Sequence, residues 1–159
     1  MSIPYSIPVK NVEPGLLSIP SLNGTIHYVA ALLPDNVTYV LPPGANFPVP
    51  SRPARAGDIV TFYGIGFGPL APDVPPGQIA RGLSVLPGFQ TLSEIRFNLV
   101  PAKVHDAGLS PGSVGLYQFN VEVPEGVLAP GQMLDNGVRV SFRFNDVPLP
   151  QALSTSIER

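Results

Sequence analysis

This 159-residue chain has no cysteine or tryptophan and few charged residues. The absence of cysteine excludes disulfides and thiolate metal sites. Charged residues are 13% of the chain, against about 25% in typical soluble domains. The 9 Lys and Arg are scattered and the formal net charge is −2. This charge distribution argues against nucleic-acid binding, which usually needs a clustered basic face.

Long apolar runs are also missing. No uninterrupted run approaches the ~18 residues that a membrane-spanning helix requires, so we expect no membrane span. The first ten residues, MSIPYSIPVK, lack a basic segment followed by an apolar one. We therefore expect no signal peptide in this chain.

Proline, by contrast, is abundant. The chain has 21 prolines, where average usage of about 5% would give roughly 8. The apolar runs between them argue against disorder and are typical of a β-protein with many turns. The length fits one domain, 12–159, after an extended N-terminal arm, 1–11.

Alternating apolar and polar residues predict the strands. In 115–126, one face carries Tyr117, Phe119, Val121 and Val123, and the other carries Leu116, Gln118, Asn120 and Glu122. Further strands are predicted at 25–33, 37–41, 58–63, 94–100, 138–144 and 152–158. The apolar, inward faces of two of them are Ile95, Phe97 and Leu99 in 94–100 and Val138, Val140, Phe142 and Phe144 in 138–144. This pattern indicates an all-β fold, a β-sandwich or barrel of about seven to nine antiparallel strands.

The connections between these strands differ in character. Residues 42–57 are rich in proline and read as an irregular connection, and 69–93 form a long loop with one helical turn predicted at 75–83. The stretches 97–101 and 144–148 share a Phe-Asn-x-Val-Pro pattern. In each, a strand is predicted to end at Phe-Asn and turn into Val-Pro, which gives two similar hairpin corners.

Two patterns could hold a phosphate or a metal. The glycines between Gly64 and Gly68 look like a phosphate-binding loop, but Pro69 follows where such a loop must open a helix, so a sharp bend is predicted. His27 and His105 have no second histidine at ligand spacing. Ordinary histidines are favoured over a metal site, although His105 and Asp106 could meet Asp135 or Asp146 through folding.

Catalytic patterns are equally sparse. No nucleophile elbow is present, and nothing in the sequence pairs Glu94, Glu122 and Glu125 as a glycosidase would require. We therefore expect no catalytic, cofactor-binding or metal-binding residues and a protein that is not an enzyme.

Two features of the sequence bear on carbohydrate: glycosylation sequons and aromatic residues that could face outward. Asn23 and Asn36 begin N-glycosylation sequons, although two turn asparagines are the stronger interpretation. The aromatic residues that could face outward toward a carbohydrate are Tyr5, Tyr28, Tyr39 and Phe89. Of these, we expect Tyr28 and Tyr39 to pack within strands.

Three longer segments carry a recurring pattern: RPARAGDIVTFYGIGFGP (52–69), PAKVHDAGLSPGSVGLYQFNVEVP (101–124) and GVRVSFRFNDVPLP (137–150). Over most of 12–157 the chain resembles a functionally uncharacterised Ig-like domain, related to the IPT/TIG group, that recurs at the C-terminal end of large exported proteins of soil bacteria. The pattern residues are Gly57, Asp58, Gly64, Gly66, Gly68, Pro111, Gly112, Gly115, Tyr117, Gln118 and Asn120. Members of that family usually have a preceding Ig-like half, where this chain has only the arm 1–11.

The resemblance implies an Ig-like sandwich that is extracellular or at the cell surface. It implies a non-catalytic structural or interaction module that contacts neighbouring domains or protein partners. One alternative is a carbohydrate-binding module that binds polysaccharide. Another is a filament protomer, in which residues 1–11 complete a neighbour's sheet. The amides of Gln118 and Asn120 are expected to bond neighbouring loop backbone.

Overall fold

The computed structural model describes residues 6, 10, 12–19, 26–82, 84–89, 93–128 and 137–158. Most of the predicted arm, and with it the donor-strand hypothesis, lies outside the described residues, as do Tyr5, Asn23 and Asp135. Within the described ranges, no helix is long and apolar enough to cross a membrane.

The described chain folds as a β-sandwich, which confirms the predicted all-β class. In chain order the strands are β1 (Gly15–Leu16), β2 (Ser18–Ile19), β3 (Tyr28–Val29), β4 (Ala31–Leu32), β5 (Tyr39–Val40), β6 (Ser51–Arg52), β7 (Ala54–Arg55), β8 (Ile59–Ile65), β9 (Ser93–Phe97), β10 (Val100–Pro101), β11 (Lys103–Leu109), β12 (Tyr117–Glu122), β13 (Val138–Phe144), β14 (Val147–Pro148), β15 (Leu153–Thr155) and β16 (Ile157–Glu158). Sheet A has the order β11-β12-β8-β4-β5-β6, and β1 also pairs with β8. Sheet B has the order β10-β9-β13-β15-β3-β2, and β14 also pairs with β13; β7 and β16 form a separate ribbon.

Several predicted strands are divided between sheets. The predicted strand 25–33 becomes β3 in sheet B and β4 in sheet A, and 152–158 becomes β15 in sheet B and β16 in the ribbon. The proline-rich connection 42–57 contains β6 and β7, which sequence analysis did not predict. Both pair in parallel, β6 with β5 in sheet A and β7 with β16 in the ribbon. In sheet B, β15 also pairs in parallel with β3, so both sheets are mixed, where antiparallel strands alone were predicted.

The core lies between the inner faces of the two sheets. Phe62 and Phe119 of sheet A and Phe97 and Phe142 of sheet B are all buried, as the alternation predicts. Phe67, just beyond β8, lies among them, with its ring centroid 4.6 Å from that of Phe119 and 5.4 Å from that of Phe142. Aromatic packing therefore joins the two sheets directly.

The long loop packs on the sandwich. Ala71 pairs with Val85, and Val85 pairs with Gly108 of β11, so the loop adds backbone bonds at the edge of sheet A. Its side chains Ala80, Leu86 and Phe89 are buried in the core. The helical turn predicted within 75–83 is wrong for the described residues. A tight turn stands there, in which the Gln78 N–H donates to the Pro75 carbonyl over 3.1 Å.

The two Phe-Asn-x-Val-Pro corners form as predicted. Phe97 pairs with Val100 across the first, and Phe144 pairs with Val147 across the second. Asn98 turns the first chain at φ 55°, and Asn145 turns the second at φ 50°. The predicted strand 94–100 is therefore interrupted. Leu99, expected inward beside Ile95 and Phe97, is 84% exposed because it lies in the turn.

Candidate functional site

The outer face of sheet A carries the polar row predicted along 115–126. On β12, Gln118, Asn120 and Glu122 are half-buried and alternate with buried neighbours. Their partners on β8 are Tyr63 for Gln118, Thr61 for Asn120 and Ile59 for Glu122. Because directly opposed residues in an antiparallel pair share a face, these side chains form one surface.

One row of this surface crosses four strands. Asn120 opposes Thr61, Thr61 opposes Leu32 of β4, and Leu32 opposes Tyr39 of β5. The Thr61 hydroxyl donates to Asn120 Oδ1 over 2.9 Å. Asn120 was expected to bond loop backbone, and that expectation is wrong. A neighbouring strand supplies its partner, because the sheet register brings the β-branched hydroxyl directly opposite.

A β-bulge ends the polar row at the edge of the sheet. The pairing between β11 and β12 shifts between Val104 and Asp106, which releases His105 from the regular register. His105 Nε2 lies 2.8 Å from Glu122 Oε2, and both side chains are partly exposed. Gln118 makes no side-chain hydrogen bond to another described residue, so the expected bond to loop backbone is not present there.

A shallow cavity of about 360 Å³ adjoins the bulge. His105 and Asp106 contribute its polar lining, and Leu86 and Phe89 contribute apolar atoms. His27 lies elsewhere, where its backbone carbonyl accepts from Ser154 of β15. No group of three His, Asp or Glu side chains suited to a metal ion occurs among the described residues.

Two tyrosines line the same outer face. Tyr63 and Tyr39 are half-buried, and the Tyr39 ring packs edge-on against Phe47 with centroids 5.1 Å apart. Burial raises the pKa of Tyr63, and the Tyr39 phenol raises it further. Phe89, considered as an outward residue, is instead buried in the core, and Tyr28 is buried as expected.

The first pattern residues tie the start of β8 to the end of β12. The Gly57 N–H donates to the Val123 carbonyl over 2.9 Å, at a φ of 85° that suits glycine. The Asp58 carboxylate accepts from the Arg55 backbone N–H at 2.9 Å and lies 3.3 Å from Arg52 Nη1. Both residues therefore hold a turn.

The next glycines, Gly64 and Gly66, leave room for the segment 12–17 to lie against β8. A Cβ on Gly64 would lie 2.6 Å from the Gly15 carbonyl oxygen, and one on Gly66 would overlap the Glu13 carbonyl oxygen. Gly66 also has a φ of 79°. The predicted sharp bend is therefore present, and its glycines serve close backbone approach. The side chain of Gln151 secures the same segment, since its amide bonds both the N–H and the carbonyl of Leu16.

The remaining pattern residues fasten the end of the sandwich. The Tyr117 hydroxyl donates to the Gly68 carbonyl, and burial raises the pKa of this tyrosine. The Pro111-Gly112 turn is closed by a 3.2 Å bond from the Ser113 N–H to the Ser110 carbonyl. Gly112 and Gly115 both adopt positive φ, and the Gly112 N–H donates to Ala80 of the long loop.

The three carboxylates considered for catalysis are placed apart. Glu122 faces out from sheet A, and Glu94 faces out from sheet B, where it forms a 2.6 Å ion pair with Arg96. Glu125 lies in an exposed turn. The sequon residue Asn36 occupies the exposed turn between β4 and β5, at a φ of 57°.

Comparison with known proteins adds no relatives. No family model, no curated protein and no solved structure matches this chain. The Ig-like resemblance therefore stays a prediction. Sequence reasoning missed Phe67 as a central core residue and Thr61 as the Asn120 partner. For Phe67, the available signal was a phenylalanine between two glycines directly after a predicted strand.

Proposed function

We propose that this chain is a non-catalytic structural or interaction module of a larger exported or surface protein, with an Ig-like sandwich as its framework. The proposal is carried by the contacts that the pattern residues make in the structure. Most of them hold backbone: Gly57, Gly64 and Gly66 allow turns or close strand contacts, and Tyr117 bonds the Gly68 carbonyl. Residues that permit turns and close backbone contacts serve architecture rather than ligand binding.

The ionisable side chains support the same interpretation. Glu122 pairs with His105 across two strands, and Glu94 pairs with Arg96 along one strand. Each pair is local and partly exposed, on opposite outer faces of the sandwich. An acid–base pair for catalysis instead needs groups that converge on one substrate position. On the outer face of sheet A, the exposed Ile59 and Ile65 of β8 stay accessible to a neighbouring domain or partner.

Fractionation of the cells that produce the protein tests this proposal. An antibody against the chain should detect it in the culture medium, or on intact cells where added protease removes it. A cytoplasmic protein with known location serves as the lysis control. Recovery of the chain only from the cytoplasm, with that control intact, would contradict an exported module.

A further inference from the structure

We propose that the outer face of sheet B binds a short acidic peptide segment of a partner protein, with the Arg139 guanidinium as the principal carboxylate-binding group. This inference rests on the proposed function, since it names the chemistry of one partner of an interaction module. The surface, the arginine face, is formed by the outward side chains of β9, β13 and β15: Glu94, Arg96, Arg139, Ser141, Arg143 and Ser154.

Sheet B has an excess of positive charge that sheet A lacks. Its strands contain three arginines against one carboxylate, Glu94, which gives a formal charge of +2. No charged residue occurs in the other strands of this sheet, which are β10, β14, β15, β3 and β2. The strands of sheet A contain Arg52, Lys103, Asp106 and Glu122, whose formal charges cancel. The arginine face is therefore a cationic surface on a chain whose formal net charge is −2.

The register places the three arginines around Ser141. Arg96 directly opposes Ser141, while Arg139 and Arg143 lie two positions to either side of it on β13. The distance from Arg139 to Arg143 along the strand is roughly 14 Å, at about 3.4 Å per residue. Side chains on one side of an extended peptide repeat every second residue, with the same spacing as this row. Carboxylates at alternate positions of such a peptide can therefore meet successive arginines.

Internal contacts use only part of the positive charge. Glu94 forms a 2.6 Å ion pair with Arg96 and opposes Arg143 in the register, so one carboxylate serves two guanidinium groups. Arg96 and Arg143 also each donate to a turn carbonyl, of Leu99 and of Asp146 respectively. A guanidinium has more N–H donors than these contacts use, so both arginines retain donors for a ligand.

Arg139 is the arginine with an unengaged side chain. Its backbone bonds Asn98, but its guanidinium forms no ion pair or hydrogen bond with another described residue. Ser154 directly opposes it, and the exposed His27 lies beside Ser154, whose N–H donates to the His27 carbonyl. A guanidinium fork can hold a carboxylate through two parallel N–H bonds, and the serine hydroxyl adds a further donor.

Carboxylates at its borders limit the length of anion that this face can bind. Asp146 stands in the exposed turn after β13, and Glu125 stands in the exposed turn after β12, close to where Asn98 contacts Val127. In the structure as described, neither carboxylate forms an ion pair with an arginine of the face. Lys10 and Glu13, near the second turn, pair with each other. A short acidic segment fits between the two borders, whereas a long polyanion would extend into like charge.

Exposed apolar side chains beside the arginines select a peptide. Leu99 and Val147 are 84% and 61% exposed, the two highest values among the large apolar side chains that the structure describes. They lie in the two Phe-Asn-x-Val-Pro corners, at opposite ends of the face. Next to Arg139, a cavity of about 230 Å³ is lined in part by Ile26 and Ala152. A peptide supplies carboxylates and aliphatic side chains together, whereas acidic polysaccharides and nucleic acids have no aliphatic side chains.

Fluorescence anisotropy with the full 159-residue chain tests the proposal. The probe is a short labelled peptide with Glu at alternate central positions and Leu toward both ends. Matched probes replace every Glu by Gln, every Glu by Lys, or every Leu by Ser. We expect the acidic probe to bind at low salt and more weakly as salt rises, because salt screens exposed charges. The Gln and Lys probes should not bind.

Variants of the chain locate the binding. Arg139→Ala should weaken binding of the acidic probe at least about tenfold, the factor that about 1.4 kcal/mol represents. Arg139→Lys should give a smaller loss, because the charge remains but the planar fork does not. Arg81→Ala, which removes an exposed arginine from the long loop at the edge of sheet A, is the matched control and should bind like the wild type. Leu99→Ser should weaken the leucine probe but not the serine probe.

Melting curves show whether each variant is folded. If Arg139→Ala unfolds, Arg139→Lys and Leu99→Ser decide the result, and wild-type affinity in both would overturn the proposal. So would no binding of the acidic probe at low salt, equal losses in Arg139→Ala and Arg81→Ala, or equal binding of the acidic and Gln probes.

Polygalacturonate and duplex DNA serve as competitors of a different class. Tighter binding of either one than of the acidic probe, abolished by Arg139→Ala, would assign the face to a polyanion and overturn the peptide. These outcomes leave export untouched. Failure of the exported module is seen separately, as recovery of the chain only from the cytoplasm.

Discussion

The two outer faces of the sandwich differ in chemistry although their strands alternate in the same way. Sheet A presents tyrosines, aliphatic side chains and amides, with Lys103, Asp106 and Glu122 toward its β11 edge, and its polar contacts run across strands, as between Thr61 and Asn120. Sheet B presents Arg96, Arg139 and Arg143, and its Glu94–Arg96 pair runs along one strand. Three of the 9 basic residues of the chain therefore stand on one face.

The inner faces, by contrast, are alike. Both present phenylalanine and β-branched residues to the same core, and Phe119 of sheet A lies 5.4 Å from Phe142 of sheet B by ring centroid. Alternation therefore identifies which side chains are buried. The difference between the sheets lies in the outward residues, which packing does not constrain, so these residues are the ones free to serve a function.

The largest expected effect tests the equivalence of the inner faces. Phe119→Ala and Phe142→Ala should each lower the free energy of unfolding by about 3–5 kcal/mol, because each removes a buried aromatic ring. The double variant should lose less than the sum, since the two rings are in contact. Urea unfolding measures all three. A loss below about 1 kcal/mol for either single variant would show that its sheet is not packed on this core.

A smaller difference in stability should distinguish the outer face of sheet A from that of sheet B. Asn120→Ala leaves the Thr61 hydroxyl, only 8% exposed, without its partner and should cost about 1–3 kcal/mol. Ser141→Ala, at an outward position of β13, should change stability by less than about 0.5 kcal/mol. Urea unfolding again gives the comparison. Equal losses of stability in Asn120→Ala and Ser141→Ala would show that the two outer faces do not differ in this respect. Partial recovery of stability in the double variant Thr61→Val/Asn120→Ala would support the difference.

Acid should remove the stabilisation that one carboxylate contributes on each sheet. Hydrogen bonds from the Thr38 side chain and from the Thr38 and Val37 backbone lower the pKa of Asp35 from 3.8 to about 2, and the Arg96 hydrogen bond lowers that of Glu94. Both folded pKa values lie below the unfolded ones. The stabilisation is therefore complete above the unfolded pKa and is lost as pH falls through the folded pKa.

Carboxyl-carbon NMR titration measures these two pKa values directly. Asp35 in the β4–β5 turn should titrate near pH 2, and its contribution should fade between about pH 4 and 2. In Asp35→Asn, melting temperature should depend less on pH within that window. An Asp35 carboxyl that titrates at its ordinary value would show that the turn bonds do not persist in solution.

The smallest effect concerns Gln118. Gln118→Ala should change stability by no more than about 0.5 kcal/mol, because the amide is half-buried and bonds to no described side chain or backbone group. Arg143→Ala on the opposite face is its control. Thermal and urea unfolding of both variants give the values. A loss above ~2 kcal/mol in Gln118→Ala would instead reveal a buried, hydrogen-bonded amide.

The local pattern predicted much of this molecule. Phe119 and Phe142 were assigned to the core from alternation alone, because a strand points successive side chains to opposite faces. The two hairpin corners followed from a repeated Phe-Asn-x-Val-Pro pattern, since asparagine tolerates positive φ. Alternation wrongly placed Leu99 inward, because this residue lies in the turn between β9 and β10.

By itself, the sequence determined the all-β class, the buried rows and the bends, since each depends on residues close together in the chain. Tertiary structure alone decided that 25–33 crosses between sheets, that Phe67 joins both sheets, and that Asn120 bonds Thr61. It also placed Tyr63 opposite Gln118, 55 positions later in the sequence. Such pairings depend on strand order and register, which arise when distant segments compete to bury the same surface.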